Sequence, residues 1–110
     1  MQFVVTPVER ASDVLLQVTG ELDVATVAAL RSAVQDVLAG STSRVLVDLT
    51  STRFVDSTGC RELVRTAKAC SASGVAVEVV VPPDNWRVRR VVDFVQLASV
   101  VPLRDELPAP

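Results

Sequence analysis

The stretch FVDSTGC, residues 54–60, places one acid and two hydroxyls between apolar residues. Asp56, Ser57 and Thr58 are residue types that cap helix N-termini, where a cap contributes about 1 kcal/mol. Alternatively, one hydroxyl has a chemical role, because the backbone N–H groups and the dipole at a helix N-terminus stabilise an anion such as a phosphate. The spacing alone favours the cap and leaves the chemical role open.

The composition argues against a nucleophilic enzyme. The chain contains no histidine, and no well-placed lysine is available as a base for Ser57. Its four glycines are scattered at positions 20, 40, 59 and 74, so there is no glycine-rich phosphate loop with a lysine. Cys60 and Cys70 fall in one predicted helix, roughly 15 Å apart, which predicts two buried apolar thiols without a disulfide or a transition-metal site. A hydroxyl that a separate kinase modifies fits this composition, and no cofactor is expected.

Length and charge narrow the class of protein. With 110 residues, of which 49% are hydrophobic and 22% charged, the chain predicts a single globular domain spanning residues 1–110. Its net charge of −2 lacks the basic excess of a nucleic-acid-binding protein. The first residues carry no secretion pattern, and the longest apolar runs, about five residues, are far shorter than the ~20 that span a bilayer. We therefore expect a cytoplasmic protein with neither a nucleic-acid partner nor membrane insertion.

The apolar spacing predicts the elements that position the candidate residues. Short β-branched runs predict five strands, at residues 3–5, 14–18, 45–49, 75–81 and 99–101. Apolar residues at three- and four-residue spacing predict three helices: one between Asp23 and Gly40 with its apolar positions at 27–38, one from Cys60 toward Gly74, and one with its apolar positions at 88–95. We interpret residues 50–53 as a polar bend and residues 102–110 as a short proline-containing tail.

Polar residues near the predicted helix ends indicate caps and exposed faces. Asp23 is a candidate N-cap for the first helix, and Asp84 or Asn85 for the third. Charged residues expected to face solvent on the second and third helices are Arg61, Glu62, Arg65, Lys68, Arg87, Arg89 and Arg90. Of these, Arg61 and Arg65 lie one turn apart beside Ser57, where they are either solvated charges or contacts for acidic residues of a partner.

The element order β-β-α-β-α-β-α-β predicts an α/β fold. Its sheet should be mostly parallel, with four to five strands, an antiparallel first strand and helices packed on the sheet. The loops TGELD and TSTRFVDSTG each lead from a strand to a helix, so they should lie at the same edge. We expect Asp56, with Asp23 and Asp48 on neighbouring loops or strand ends, to make that edge acidic around Ser57.

Two motifs carry a family resemblance. GELD followed by a helix, and then VLVDLTSTRFVDSTGCRELV, resembles the STAS domain of bacterial anti-sigma factor antagonists. The resemblance covers the core at about residues 14–101, and it implies a STAS-like single domain. Two departures stand out: Cys60 replaces a larger aliphatic residue, and the tail 102–110 replaces a further amphipathic helix.

The resemblance implies a function for Ser57. In that family the serine after the aspartate is phosphorylated by a partner that is both anti-sigma factor and serine kinase. The unphosphorylated antagonist binds this kinase and frees a sigma factor, phosphorylation abolishes the binding, and a serine phosphatase resets the switch. Applied here, Ser57 is the phosphoacceptor, with Thr58 as fallback. The chain would then be a bacterial phosphoprotein that regulates transcription in a stress response by partner switching, and not an enzyme.

The resemblance also implies a partner-binding surface. Its residues are Glu21, Asp23, Asp56, Ser57, Thr58, Gly59, Arg61 and Arg65. From the residues alone, Asp56 either caps the second helix or orients the Ser57 hydroxyl, and Gly59 permits close approach of the helix to the sheet.

Two other hypotheses remain. The first is a STAS scaffold, or a subunit of a transporter or signalling complex, that binds a protein without being phosphorylated. The second is a small nucleotide-binding or nucleotide-hydrolysing domain, which the missing phosphate loop argues against.

Overall fold

The computed structural model describes residues 2–110, and within that range the chain forms six strands and three α-helices. The strands are β1 (Val4–Glu9), β2 (Val14–Leu22), β3 (Arg44–Asp48), β4 (Thr52–Val55), β5 (Ala76–Val80) and β6 (Leu103–Arg104). The helices are α1 (Val27–Leu38), α2 (Ser57–Ala72) and α3 (Trp86–Phe94), followed by a 3-10 turn at Leu97–Ser99. The predicted α/β class is confirmed.

The sheet runs in the order β1-β2-β3-β5-β6, with β4 paired to β2. As predicted, β1 is antiparallel to its neighbour, and the other pairs are parallel. β3 reads as a continuous apolar run because four of its five residues are buried. The three helices place their apolar faces in one core, to which Leu30, Leu63 and Val92 each contribute a buried side chain.

β4 corrects the interpretation of residues 50–53 as a bend. Its strand begins at Thr52, which is buried and whose hydroxyl donates to the Val18 carbonyl oxygen at 2.8 Å. The nine-residue β2 therefore has two parallel partners, β3 along its first half and β4 along its second. This short segment forms a strand because the second half of β2 extends past β3 and offers unpaired backbone groups.

The predicted strand at residues 99–101 is wrong. That apolar run instead follows the 3-10 turn, and Val101 and Leu97 enter the core. The last strand is instead β6, which begins at Leu103, two residues after the predicted run ends. There the Val79 N–H donates to the Pro102 oxygen and the Val81 N–H to the Arg104 oxygen, both at 2.9 Å. The sheet thus has six strands where four to five were predicted, and the sixth lies within the predicted tail.

A cluster of ion pairs joins four strands away from the Ser57 loop. Asp13 is 3% exposed and accepts from Arg10 at 2.7 Å and Arg44 at 2.9 Å. Glu78 then links Arg44, at 3.3 Å, to Arg104, at 3.2 Å. The hydrogen bond from Arg10 is the main cause that lowers the pKa of Asp13 to about 2. This network ties the start of β2 to β3, β5 and β6.

Candidate functional site

The two loops predicted to converge are in direct contact. Leu22, at the end of β2, pairs with Val55 at the end of β4. The Asp56 N–H donates to the Leu22 carbonyl oxygen at 3.3 Å. The same oxygen lies only 2.4 Å from where a Cβ on Gly59 would stand. Only glycine lets the first turn of α2 approach β2 this closely, so the backbone itself fixes the start of α2.

Ser57 is exposed as the first residue of α2. Asp56 precedes it as the N-cap, with its Oδ1 accepting from the Gly59 N–H at 2.8 Å. The Ser57 hydroxyl makes no hydrogen bond within residues 2–110, so the Asp56 carboxylate caps the helix and does not orient the serine. An unbonded hydroxyl in solvent at a helix N-terminus can accept a phosphoryl group without displacing any protein contact.

Asp23, in the GELD loop, was predicted to be the N-cap of α1, and the structure differs. Thr26, not Asp23, holds the N-cap position of α1, although its side chain makes no capping hydrogen bond. The half-buried Asp23 instead accepts from the Ala25 N–H at 3.0 Å, and its own N–H donates to Thr26 Oγ1 at 3.0 Å. Thr26 in turn donates to the Glu21 oxygen at 2.7 Å. Asp23 therefore orders the turn before α1, and Thr26 is the residue that the sequence analysis missed.

Thr58 is half-buried behind Ser57, and Arg61 reaches back to it. Arg61 Nη2 lies 3.4 Å from Thr58 Oγ1, and the Arg61 side chain is exposed. Arg65 is exposed one turn further on, with its Nε 3.5 Å from a Glu62 carboxylate oxygen. Both arginines therefore face solvent, Arg61 one turn and Arg65 two turns beyond Ser57 along α2.

Glu62 was predicted to face solvent, and this is wrong. It is 4% exposed and accepts two hydrogen bonds from Arg31 on α1, at 2.6 and 3.2 Å. The hydrogen bond to Glu62 raises the pKa of Arg31 above its ordinary value. This pair ties the two helices whose N-termini border the site.

Asp48 does not join the acidic edge. It pairs with Gln17, five residues before the Leu22 end of β2, so roughly 16 Å of strand separates it from that edge. Its carboxylate caps the turn after β3 by accepting from the N–H and the hydroxyl of Thr50. This leaves Asp56 and Asp23 on the two loops that meet at Ser57, with Glu21 one strand residue before Leu22.

The other side of β4 faces α3. Asn85 is the N-cap residue of this helix, as one of the two predicted alternatives, yet its amide does not cap the helix. Asn85 Nδ2 donates to the Leu49 and Thr52 oxygens, at 2.9 and 2.8 Å, which fixes α3 against the β3–β4 loop. Arg89, predicted to face solvent, is half-buried and donates to the Val81 oxygen at 2.7 Å.

Neither cysteine supplies chemistry to the site. Cys60 and Cys70 are buried, as predicted, with 5% and 0% of their surface exposed. Burial raises the pKa of both thiols, and at Cys60 the nearby Asp56 carboxylate adds to the effect. Across the described part of the chain, residues 2–110, no group of three or more acidic, cysteine or histidine side chains could hold a metal ion. Over the same residues, no helix is both long and apolar enough to cross a membrane.

Comparisons with known proteins identify the fold. A family model described as the STAS domain matches residues 5–109. An anti-sigma factor antagonist from Mycobacterium paratuberculosis is 24% identical, with a TM-score of 0.85 over 96% of this chain and 88% of that one. A putative anti-sigma factor antagonist from Thermotoga maritima is 24% identical, with a TM-score of 0.77 over 96% and 87%. The phosphorylated Bacillus cell fate determinant SpoIIAA is 21% identical, with a TM-score of 0.64 over 96% and 93%. No curated protein matches the chain.

Proposed function

The chain belongs to the STAS domain family, and from this membership we propose that it is an anti-sigma factor antagonist switched by phosphorylation of Ser57. The observation that carries the proposal is the exposed, unbonded hydroxyl at the N-terminus of α2, held beside the GELD loop. The similarity in fold to antagonists, including one solved in a phosphorylated form, supports it.

The partner is an anti-sigma factor that is also a serine kinase. Its catalytic base takes the proton from Ser57 Oγ, the oxygen attacks the γ-phosphorus of ATP, and ADP leaves. The chain contains no histidine, and the neighbouring Asp56 carboxylate caps α2 by accepting from the Gly59 N–H, so the base comes from the kinase. The chain is therefore a substrate and a binding module, and not an enzyme. A serine phosphatase returns Ser57 to its free hydroxyl, and the exchange takes place in the cytoplasm.

Charge explains why phosphorylation releases the partner. A phosphate adds roughly −1.5 to −2 charges beside Asp56, with Asp23 and Glu21 on the neighbouring loop. In the free protein, water and the exposed Arg61 stabilise this charge. In a closed interface the water is gone, and an uncompensated charge costs about 3–5 kcal/mol. Binding weakens by a factor of about 10² to a few 10³.

The switch needs no refolding. Ser57 follows an N-cap whose N–H is bonded to the Leu22 oxygen, and Gly59 packs on that same oxygen. The phosphoryl group extends from a fixed backbone into solvent. Binding and release of the kinase, and with them the freeing of the sigma factor, therefore depend on surface complementarity and not on a change in the fold.

Mass spectrometry tests the acceptor. The chain is incubated with a kinase-type anti-sigma factor and ATP, and intact mass is measured for wild type, Ser57→Ala and the matched control Thr58→Ala. Wild type and Thr58→Ala should each gain one phosphate, and Ser57→Ala none. A phosphate that persists in Ser57→Ala contradicts the assignment.

Binding measurements test the switch. Ser57→Asp should bind the kinase at least tenfold more weakly than wild type, because the carboxylate carries part of the phosphate charge. Equal binding contradicts the electrostatic mechanism. A stable complex without phosphate transfer would favour the scaffold, and nucleotide turnover by the isolated chain would favour an enzyme.

A further inference from the structure

Three of the four aromatic side chains line one groove, of about 1030 Å³, between β4 and α3. Phe54 is 45% exposed, Trp86 54% and Phe94 87%. Folding ordinarily buries such side chains, and a contiguous exposed apolar patch marks an interaction surface. We call this surface, with the residues below, the aromatic groove.

The groove is also cationic. Three arginines line it: Arg53, Arg87 and Arg90. Within residues 2–110 none of the three makes a salt bridge. Arg87 and Arg90 lie over Trp86, with Cζ atoms 4.9 and 5.9 Å from the ring centroid, a cation–π arrangement. Glu21 and Asp84 also line the groove, which leaves a positive excess on a chain whose net charge is −2.

The groove adjoins the strand pair that leads to Ser57, because Glu21 and Phe54 line it. Phe54 pairs with Glu21 across β4 and β2, one residue before the Leu22–Val55 pair that holds the site. Ser57 lies three positions after Phe54, at most about 10 Å of extended chain. Asn85 fixes the far wall by its two hydrogen bonds to the β3–β4 loop. A protein that covers Ser57 can therefore reach a pre-formed groove without further movement of this chain.

We propose that the aromatic groove is a second contact for the same anti-sigma factor, and that it binds an acidic segment with an apolar anchor. This inference rests on the proposed function for the identity of the partner. The partner's carboxylates pair with Arg87 and Arg90, and its anchor packs between Phe54 and Trp86. Tryptophan and arginine are the residue types that most often dominate binding energy at interfaces. The contact is independent of the phosphate on Ser57, so it sets affinity and partner choice while Ser57 sets release.

A peptide titration tests the chemistry of the groove without the kinase. Trp86 is the only tryptophan, so its indole N–H gives one resolved peak in a ¹H–¹⁵N spectrum of the labelled chain. A capped peptide that alternates glutamate and leucine should shift this peak saturably, and its lysine–leucine counterpart should not. Arg90→Glu should abolish the shift. No shift with the acidic peptide, or an equal shift with the basic one, overturns the proposal.

A binding comparison tests the partner. Arg90→Glu should weaken binding of the kinase-type anti-sigma factor about tenfold. Lys68→Glu, the same charge reversal at an exposed position on α2, should bind as wild type does. If Arg90→Glu binds the kinase as tightly as wild type does, and the kinase still phosphorylates Ser57 in this variant, the groove contact is overturned and the proposed function stays intact.

Two further outcomes are distinct. If wild type neither binds the kinase nor gains phosphate, the proposed function fails, and the occupant named here fails with it. The peptide titration then still decides whether the groove binds acidic segments. An indole shift that depends on the concentration of the chain alone would identify a second copy as occupant and overturn the proposal.

Discussion

Replacing Gly59 by alanine tests the contact that fixes Ser57. A Cβ at this position would stand 2.4 Å from the Leu22 oxygen, and real Cβ atoms essentially never come closer than 3.0 Å to such an atom. The first turn of α2 and the end of β2 must therefore move apart by about 0.6 Å. The Val55 and Leu22 side chains, at 3.0 and 3.1 Å, restrict the direction of that movement.

The magnitude follows from two opposed effects. Overpacking of this kind costs about 1–3 kcal/mol, and the better helix propensity of alanine returns up to about 1 kcal/mol. The free energy of unfolding should fall by about 1–2 kcal/mol, which lowers Tm by roughly 5–10 °C in a domain of this size. The displaced helix start should also slow phosphorylation of Ser57 by the kinase.

Thermal and urea unfolding measure the loss. Gly40→Ala is the matched control, since its Cβ meets only the Val37 oxygen at 3.3 Å. This control should change the unfolding free energy by no more than about 0.5 kcal/mol. A Gly59→Ala variant that unfolds at or above the wild-type temperature would refute the close-approach argument.

Two other predictions concern the scaffold. The folded pKa of Asp13, about 2, lies below its ordinary 3.8, so its ionised form stabilises the fold above pH 4, and that contribution is lost as pH falls toward 2. Asp13→Asn should therefore lose up to about 2 kcal/mol of unfolding free energy in urea at pH 7, and its deficit against wild type should shrink below pH 4; a constant deficit would contradict the ion-pair explanation. Asn85→Ala removes two hydrogen bonds to the β3–β4 loop and should cost about 1–3 kcal/mol, whereas truncation of the exposed neighbour Asp84 should be nearly neutral; equal effects of the two truncations would show that the amide contacts contribute nothing.

Apolar spacing and the order of the elements predicted most of the fold, because helices, strands and their directions follow from them. The apolar residues of 27–38 recur at helical spacing, and a helix is observed over them, shorter than the predicted span between Asp23 and Gly40. The stretches TGELD and TSTRFVDSTG converge as expected, since they contain the ends of β2 and β4, which run in parallel. The antiparallel first strand also follows from topology, because a short connection links it to β2.

Features that depend on distant residues could not be predicted. Glu62 has the sequence context of a solvated helix face, and its burial depends on Arg31, far away in the sequence. β4 forms from polar residues because the end of β2 has no other partner. Asp23 does not hold the N-cap position, because a turn at residues 23–26 precedes the helix and α1 begins only at Val27. The aromatic groove brings together Phe54 and Trp86, which no local pattern joins.

The corrections change how the switch must operate. With Asp48 placed elsewhere, the carboxylates on the two loops that meet at Ser57 are Asp56 and Asp23, and Arg61 is exposed one turn into α2. In the free chain the phosphate stands in water, which stabilises its charge, so phosphorylation of Ser57 should barely affect the stability of the domain itself. Its effect appears only when a partner removes water from the surface. In the proposed switch, the phosphorylated and unphosphorylated forms therefore differ only within the interface. A partner that retained water over Ser57 would bind both forms equally.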